Sequence, residues 1–255
     1  MANLGIALPK AMSLANPMSF ILKRVLSGDA VPYGRYQNEI FYNYVFDDGS
    51  AIVYLPPECV TANRVSIWVR SSTKGVSYVT VVGGKGLENA SYMFGNCAEL
   101  KIIDMRHLDA RRIANITEAF YNCMGAGVIL LPDTGLPELR ECARLFYSCY
   151  KLRHIDLTGV NTSKVSDMSA MFLGCSSLAE LDVSCIDTSS ATTLDGMFRR
   201  CLSLKTLDIS NFDVSNVITI NDLFGLCLNL ESLNLSGLHF ESCTKANRMF
   251  MFVIS

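Results

Sequence analysis

Carboxylates recur in this chain at a fixed spacing. Asp104, Asp156, Asp182 and Asp208 fall in one column, separated by 26 residues or a multiple of it, and Asn234 continues the column. Stacked carboxylates repel unless something offsets them, and hard cations take carboxylate oxygens. The residue two places further on is usually a hydroxyl: Thr158, Ser184, Ser210 or Ser236. Three roles fit these residue types. The carboxylates can accept hydrogen bonds from amides and hydroxyls of adjoining loops, bridge a cation, or touch a ligand, and the structural role is the expectation. A second column holds six thiols: Cys97, Cys123, Cys149, Cys175, Cys201 and Cys227. A disulfide needs Cβ atoms about 3.8 Å apart with the right dihedral, which parallel stacked side chains rarely offer. Packed, reduced thiols are therefore expected, since a buried cysteine behaves as a small hydrophobe. No Cys-x-x-Cys pair supports zinc. Cys59, Cys142, Cys185 and Cys243 lie off the ladder, and the sequence does not place them.

Other chemistry is thinly represented. His107, His154 and His239 fall in different repeats, and no serine or cysteine nucleophile pattern, His-Glu-x-x-His or paired-acid cleft is readable. No catalytic residue, metal ligand or cofactor is assigned, and the chain reads as a non-enzyme. Gly83-Gly84-Lys85-Gly86 sits between a strand and a helix pattern, where phosphate loops sit. It lacks the P-loop spacing, so a tight turn is expected.

These residues are positioned by a repeat. Phe94, Phe120, Phe146, Phe172, Phe198, Phe224 and Phe250 are each 26 residues apart, with the six ladder cysteines three residues behind the first six. One unit copied in phase is the mark of a solenoid. Val165, Met168, Met171 and Phe172 are spaced as one face of a helix, with Thr162 or Ser163 as its N-cap. The spacing then tightens to two at Leu181 and Val183, as in a short strand. Leu-x-x-Leu-x-Leu cores recur at Leu178, Leu181 and Val183, at Leu204, Leu207 and Ile209, and at Leu230, Leu233 and Leu235. The expected fold is an α/β leucine-rich-repeat solenoid with a parallel sheet on one face and short helices on the other.

The stretches Asn161-Thr-Ser-Lys-Val-Ser-Asp-Met-Ser-Ala-Met-Phe-Leu-Gly-Cys-Ser-Ser-Leu and Leu207-Asp-Ile-Ser-Asn-Phe-Asp-Val-Ser-Asn-Val carry a family resemblance. They resemble the BspA-like leucine-rich repeats of bacterial surface proteins. The resemblance covers about residues 87–255 and is strongest over 145–235. It implies a non-enzymatic solenoid that binds proteins or other host-surface ligands and is often secreted or tethered to a cell surface. Repeat two departs from the pattern after Cys123: Met124-Gly-Ala-Gly-Val-Ile-Leu-Leu-Pro replaces the usual run, and Leu130 stands in the Asp column.

Half of the 255 residues are apolar and the net charge is −2, enough for a large core and no basis for a nucleic-acid groove. No apolar run is long enough for a transmembrane helix. Residues 1–30 match a secretory signal poorly, because no positive charge precedes Lys10, Asn16 and Pro17 interrupt the apolar run, and Lys23 and Arg24 follow it. They are expected to form an amphipathic segment that docks on the body or anchors it in an assembly. Residues 31–86 read as a β-rich N-terminal cap. It has a hairpin over 40–55 turning at Asp47-Asp48-Gly49-Ser50, a strand over 65–70 and another over 76–82. The solenoid then occupies 87–255.

Beside the Asp column runs a variable one: Ile102, Val128, His154, Glu180, Thr206 and Ser232. Variation beside a constant frame fits a recognition surface and equally fits drift on a solvated face. Arg153, His154, Glu180 and Lys205 are the first ligand-contact candidates. The leading functional expectation is a secreted or surface-exposed recognition or adhesion module for a protein or glycan. The alternatives are a structural or receptor-binding component of a virion or surface appendage, and a cytoplasmic interaction scaffold. The last full strand, Leu233-Asn234-Leu235, is expected to leave an open edge. Self-association through it, or a missing continuation, is expected over a stable open monomer.

Overall fold

The computed structural model describes residues 10–33, 41–62, 64–71 and 75–253. Residues 1–9 of the N-terminal segment, Ile40 at the head of the hairpin reading, and Ile254 and Ser255 lie outside the described residues. The chain runs through α1 (Lys10–Ser13), α2 (Pro17–Ser27), β1 (Val31–Tyr33), β2 (Phe41–Val45), β3 (Ser50–Leu55), α3 (Arg64–Ser71) and β4 (Tyr78–Gly83). The repeats add β5 (Ile102–Asp104), β6 (Val128–Leu130), β7 (Thr206–Asp208) and β8 (Ser232–Asn234). β1 to β6 form one sheet in sequence order, and β7 and β8 form a second. β1, β2 and β3 pair antiparallel, and every pairing from β3 onward is parallel. The protein is thus a parallel-stacked repeat solenoid.

Asn16 and Pro17, which interrupt the apolar N-terminal run, start α2. The Asn16 side chain accepts the Ser19 N–H at 2.8 Å, and Pro17 occupies the first helical position, where its missing N–H costs nothing. The two N-terminal helices cover the outer face of the sheet, with Ala11 and Ile21 buried against Ile52 and Val82. Phe20 packs on Tyr44 and Phe46 with ring centroids 5.4 Å away in each case. The Arg24 guanidinium lies over Phe20 and Tyr44 and pairs with Asp29 at 2.8 Å.

Residues 65–70 are helix, not strand. Val65, Trp68 and Val69 are buried while Ile67 is exposed. That is the i, i+3, i+4 stripe of α3, which a short run with β-branched residues disguises as alternation. α3 makes the crossover between β3 and β4, which pair in parallel from Ser50↔Tyr78 to Leu55↔Gly83. The parallel stack therefore starts at β3, inside the stretch that the sequence pattern reads as a cap.

The short helices expected in each repeat are absent from 84–253, which contain no α-helix. A run of consecutive turns takes their place. In all seven units the residues two before and two after the phenylalanine have positive φ, from Tyr92 (φ 56) and Asn96 (φ 61) to Arg248 (φ 55) and Phe252 (φ 59). Only Gly174 and Gly196 supply glycine there. A right-handed helix cannot carry such residues. Alternate amides instead donate to the next unit: Ala170 to Asp195 C=O at 2.8 Å, Phe172 to Met197 C=O at 2.9 Å, and Gly174 to Arg199 C=O at 2.8 Å. The buried set (Met168, Met171, Phe172, Cys175) is the one a helix would bury, so apolar spacing alone misleads. Thr162 caps no helix. Its hydroxyl bridges units, donating to Asp187 C=O and accepting the Asp187 N–H, both at 2.9 Å. Ala170 (φ 53) carries the left-handed strain without glycine. Ala170→Gly is expected to stabilise the fold by about 0.5–1 kcal/mol, because relief of αL strain exceeds the added freedom of the unfolded chain. Urea titration checks it, and a net loss of stability would contradict the strain argument.

The phenylalanines stack as a continuous column. Adjacent ring centroids lie 5.4 to 6.0 Å apart, from Phe120–Phe146 to Phe94–Phe120. Repeat two is the irregular layer. Eleven residues separate the ladder cysteine from the next core position in the other units (Cys97 to Leu108, Cys149 to Val160, Cys175 to Ile186), but thirteen separate Cys123 from Leu136. Leu136 nevertheless bridges to Val160, and only ten residues separate it from Phe146, against twelve from Leu108 to Phe120, so the two residues added on the sheet side are given back before the next phenylalanine. There the strand ladder stops: 154–156 and 180–182 form no strand, and pairing resumes only at β7.

Candidate functional site

Where the ladder stops, a groove of about 1020 Å³ opens on the sheet face. Residues 128–133 of repeat two form one side, and Lys151, Arg153, His154, Asp156 and Thr158 of repeat three form the other. Ile102, Val128, Leu130, Leu131 and Pro132 give it an apolar lining, and Tyr78 also lines it. Four ammonium or guanidinium groups (Lys101, Arg106, Lys151, Arg153) line it against two carboxylates, Asp133 and Asp156. Arg106 is committed elsewhere. It forms a two-pronged pair with Asp104, Nε to Oδ1 at 3.0 Å and Nη2 to Oδ2 at 2.8 Å. Lys101 lies 5.8 Å from the centre of the Tyr78 ring. Lys151 and Arg153 are exposed and belong to none of the ion pairs among the described residues.

Of the four contact candidates, Arg153 and His154 stand on the groove wall. Glu180 and Lys205 are exposed on the next two units and do not line it. The variable column is not uniformly outward, because Ile102 is buried under the groove. The groove's other wall comes from residues with no ionisable side chain until Asp133, which a search for chemistry-bearing residues passes over. Its signal in the sequence is the lengthened interval from Cys123 to Leu136.

The Asp column closes turns. Asp156, Asp182 and Asp208 each accept the N–H two residues on, from Thr158, Ser184 and Ser210, at 2.9 Å. Asn234 accepts from Ser236 at 3.1 Å, and the Asp208 carboxylate also accepts the Asn234 amide of the next unit at 3.0 Å. Asp104 likewise accepts the Arg106 N–H at 3.1 Å and is in addition buried beneath the Arg106 guanidinium. Two further columns repeat the device at other corners: Asn161, Asp187 and Asp213 with Ser163, Ser189 and Ser215, and Asn89, Asn115 and Asp167 with Ser91, Thr117 and Ser169. Their sequence signal is an Asx-x-Ser/Thr triplet at the repeat interval. No group of three or more His, Cys, Asp or Glu is arranged to hold a metal among the described residues.

Hydrogen bonds from the following residue pair hold these carboxyls below the usual range: Thr158 for Asp156, the Ser184 amide for Asp182, Ser210 for Asp208 and Ser215 for Asp213. A lowered folded pKa stabilises above the unfolded value near 3.9 and is lost as pH falls through the folded value. The melting temperature should therefore hold from pH 7 to about 5 and fall progressively below about 4. A flat profile down to pH 2.5 would contradict this reading of the columns.

No disulfide joins any of the ten cysteines. Each ladder thiol from Cys123 onward donates to the phenylalanine C=O of the preceding unit: Cys123 to Phe94 at 3.1 Å, Cys149 to Phe120 and Cys175 to Phe146 at 3.2 Å, Cys201 to Phe172 at 3.3 Å, and Cys227 to Phe198 at 3.1 Å. Burial pushes the Cys97 thiol up to about 12 and that of Cys227 to about 11. Such thiols carry little thiolate and resist modification. Cys59 and Cys142 are buried, Cys185 is exposed and Cys243 half-buried. Alkylation of the native chain should modify Cys185 first and Cys243 next, leaving the other eight until denaturation. Mass mapping checks this, and rapid native labelling of Cys149 or Cys175 would refute the packing.

The Gly83 to Gly86 stretch is shaped by close packing. A Cβ on Gly86 would stand 1.9 Å from the Pro57 carbonyl oxygen, and one on Gly83 2.3 Å from that of Leu55. Nearby Arg111 and Arg112 are paired to Asp109 and Glu88.

Residues 140–254 match the family described as Mycoplasma protein of unknown function, DUF285, and over that stretch the chain is similar to it. The match includes the repeat-three wall of the groove and stops short of the repeat-two wall. Among solved structures the chain is similar to a leucine rich cell surface protein from Faecalibacterium prausnitzii A2-165, at 14% identity and a TM-score of 0.36. That similarity covers 86% of this chain and 55% of the other, so this chain spans about half of that protein's length. No curated protein matches the chain. No helix among the described residues is long and apolar enough to cross a membrane.

Proposed function

We propose that this chain is a non-enzymatic recognition module that binds a protein or glycan at a cell surface through the groove between repeats two and three. One observation carries the reading: a groove opens on the sheet face at the one layer whose internal spacing shifts, and there Lys151 and Arg153, in none of the ion pairs among the described residues, stand beside half-buried Val128, Leu130 and Leu131. A patch of that composition meets the requirements of an interface, apolar centre and charged rim. The remaining conspicuous residues have structural work that accounts for them. The carboxylate columns close turns, the thiols pack on carbonyls, and His107, His154 and His239 stand on separate units.

The test is a binding screen of the full chain against surface proteins and glycans, repeated with an Arg153→Glu/Lys151→Glu variant and with Lys205→Glu. The expected result is ligand binding that the groove variant loses and Lys205→Glu retains. Binding that survives the groove variant, in a chain with unchanged circular dichroism, would move the site elsewhere. Enzymatic turnover of a bound ligand would overturn the non-enzymatic reading.

A further inference from the structure

The groove offers side chains, not main chain. Ile129, the central residue of β6, is 2% exposed and pairs in register with Ile103 of β5. An occupant therefore finds no free backbone edge there and must satisfy its own N–H and C=O groups. A helix does so within one segment, each N–H donating to the C=O four residues back. Half-buried Val128, Leu130 and Leu131 leave apolar area for such an element to cover, and exposed Lys151 and Arg153 stand beside them. The lining crosses successive layers, from Tyr78 of β4 through Ile102, Val128 and His154 to Ser177 of repeat four. Four steps between layers, at roughly 4.8 Å each, give about 19 Å, the length of a helix of about 13 residues.

Resting on the recognition reading above, we propose that the groove takes an acidic amphipathic helix of a partner protein. The apolar stripe of that helix covers Val128, Leu130 and Leu131, and carboxylates flanking the stripe meet Lys151 and Arg153. A helix laid in an apolar groove is anchored by residues at i, i+3, i+4 and i+7, with polar residues on its other faces. Charge sets its sign. Lys101, Lys151 and Arg153 outnumber Asp133 and Asp156 along the groove, while Arg106 is held by Asp104. A basic helix would set cations against cations. An anionic glycan would answer the charges but leave the apolar lining uncovered.

Fluorescence anisotropy with the full chain tests the proposal. The probes are labelled, side-chain-stapled helices of about 13 residues, with Glu on the polar face and Leu, Met or Phe in turn on the apolar stripe. Binding of at least one is expected, weakening in high salt. Three changes should each reduce its affinity about ten-fold or more: Lys in place of Glu, the same residues unstapled and reordered to alternate apolar and acidic, and the Lys151→Glu/Arg153→Glu variant. Lys205→Glu should bind as the wild type does. Equal binding of the reordered peptide would overturn the helix, and equal binding of the Lys peptide the charge match. If the groove variant loses ligands found in the surface screen while no acidic helix binds, the recognition reading stands and the helix falls. Binding of heparin fragments without any helix would likewise overturn it.

Discussion

Phe172→Ala should cost about 3–5 kcal/mol and remove most of the native chain at physiological temperature. The Phe172 ring is fully buried, 5.5 Å from Phe146 and 5.9 Å from Phe198, with interplanar angles of 16° and 1°. In a solenoid each unit contacts only its neighbours, so stability is a sum of unit and interface terms. Truncation at Phe172 empties two interfaces and leaves a cavity that the flanking rings cannot fill, since the hydrogen-bonded turns hold them in register. Phe250 is the internal comparison: it stacks on Phe224 alone, at 5.6 Å, and is 47% exposed. Phe250→Ala should cost about 1–2 kcal/mol, because roughly half the area leaves water and one interface is involved. Denaturant titrations of both variants separate the cases. If the two losses agree within the error of the method, the column is decorative and the stack is held by its backbone ladder.

The stacking was legible in the sequence because period is robust: a residue type repeated in phase must occupy the same place in each layer. Local conformation was less legible. Met168, Met171 and Phe172 satisfy a helical spacing, yet Ala170 and Gly174 lie on the other side of the Ramachandran map. Nothing in one unit's sequence reveals that, because the amides that would close a helix find their acceptors 25 residues away in the next unit. α3 was hidden for a related reason: Val65, Ile67 and Val69 alternate, and only the burial of Trp68 shows which period operates. At the groove, the cationic wall was visible as Arg153 and His154, residues with chemistry to notice. The opposite wall is apolar until Asp133 and comes from a shift of spacing within a constant period, which leaves no mark on residue type.

Gly135→Ala should be the most costly change at the groove, at about 2–4 kcal/mol, through the way repeat two regains register after its longer interval from Cys123 to Leu136. Gly135 ends the enlarged segment and precedes Leu136, which bridges to Val160, while the Leu136 N–H reaches the Gly159 C=O at 2.9 Å. Gly135 and Gly159 both have positive φ, 66° and 83°, and lie against each other. A Cβ on Gly135 would stand 2.6 Å from the Gly159 carbonyl oxygen. That oxygen is main chain and already bonded, so it cannot swing aside; the two units must part where the groove ends. Gly237 provides the control, because it holds the matching place before Leu238, has φ 80°, and would place a Cβ with nothing within 4 Å. Gly237→Ala should therefore show the left-handed backbone penalty alone, about 1 kcal/mol. The difference between the variants isolates the layer contact from the backbone strain. Gly135→Ala should also weaken whatever the groove binds, whereas Gly237→Ala should not. Equal losses of stability at the two sites would show that the close approach of repeats two and three contributes nothing, and with it the account of how the groove is held open.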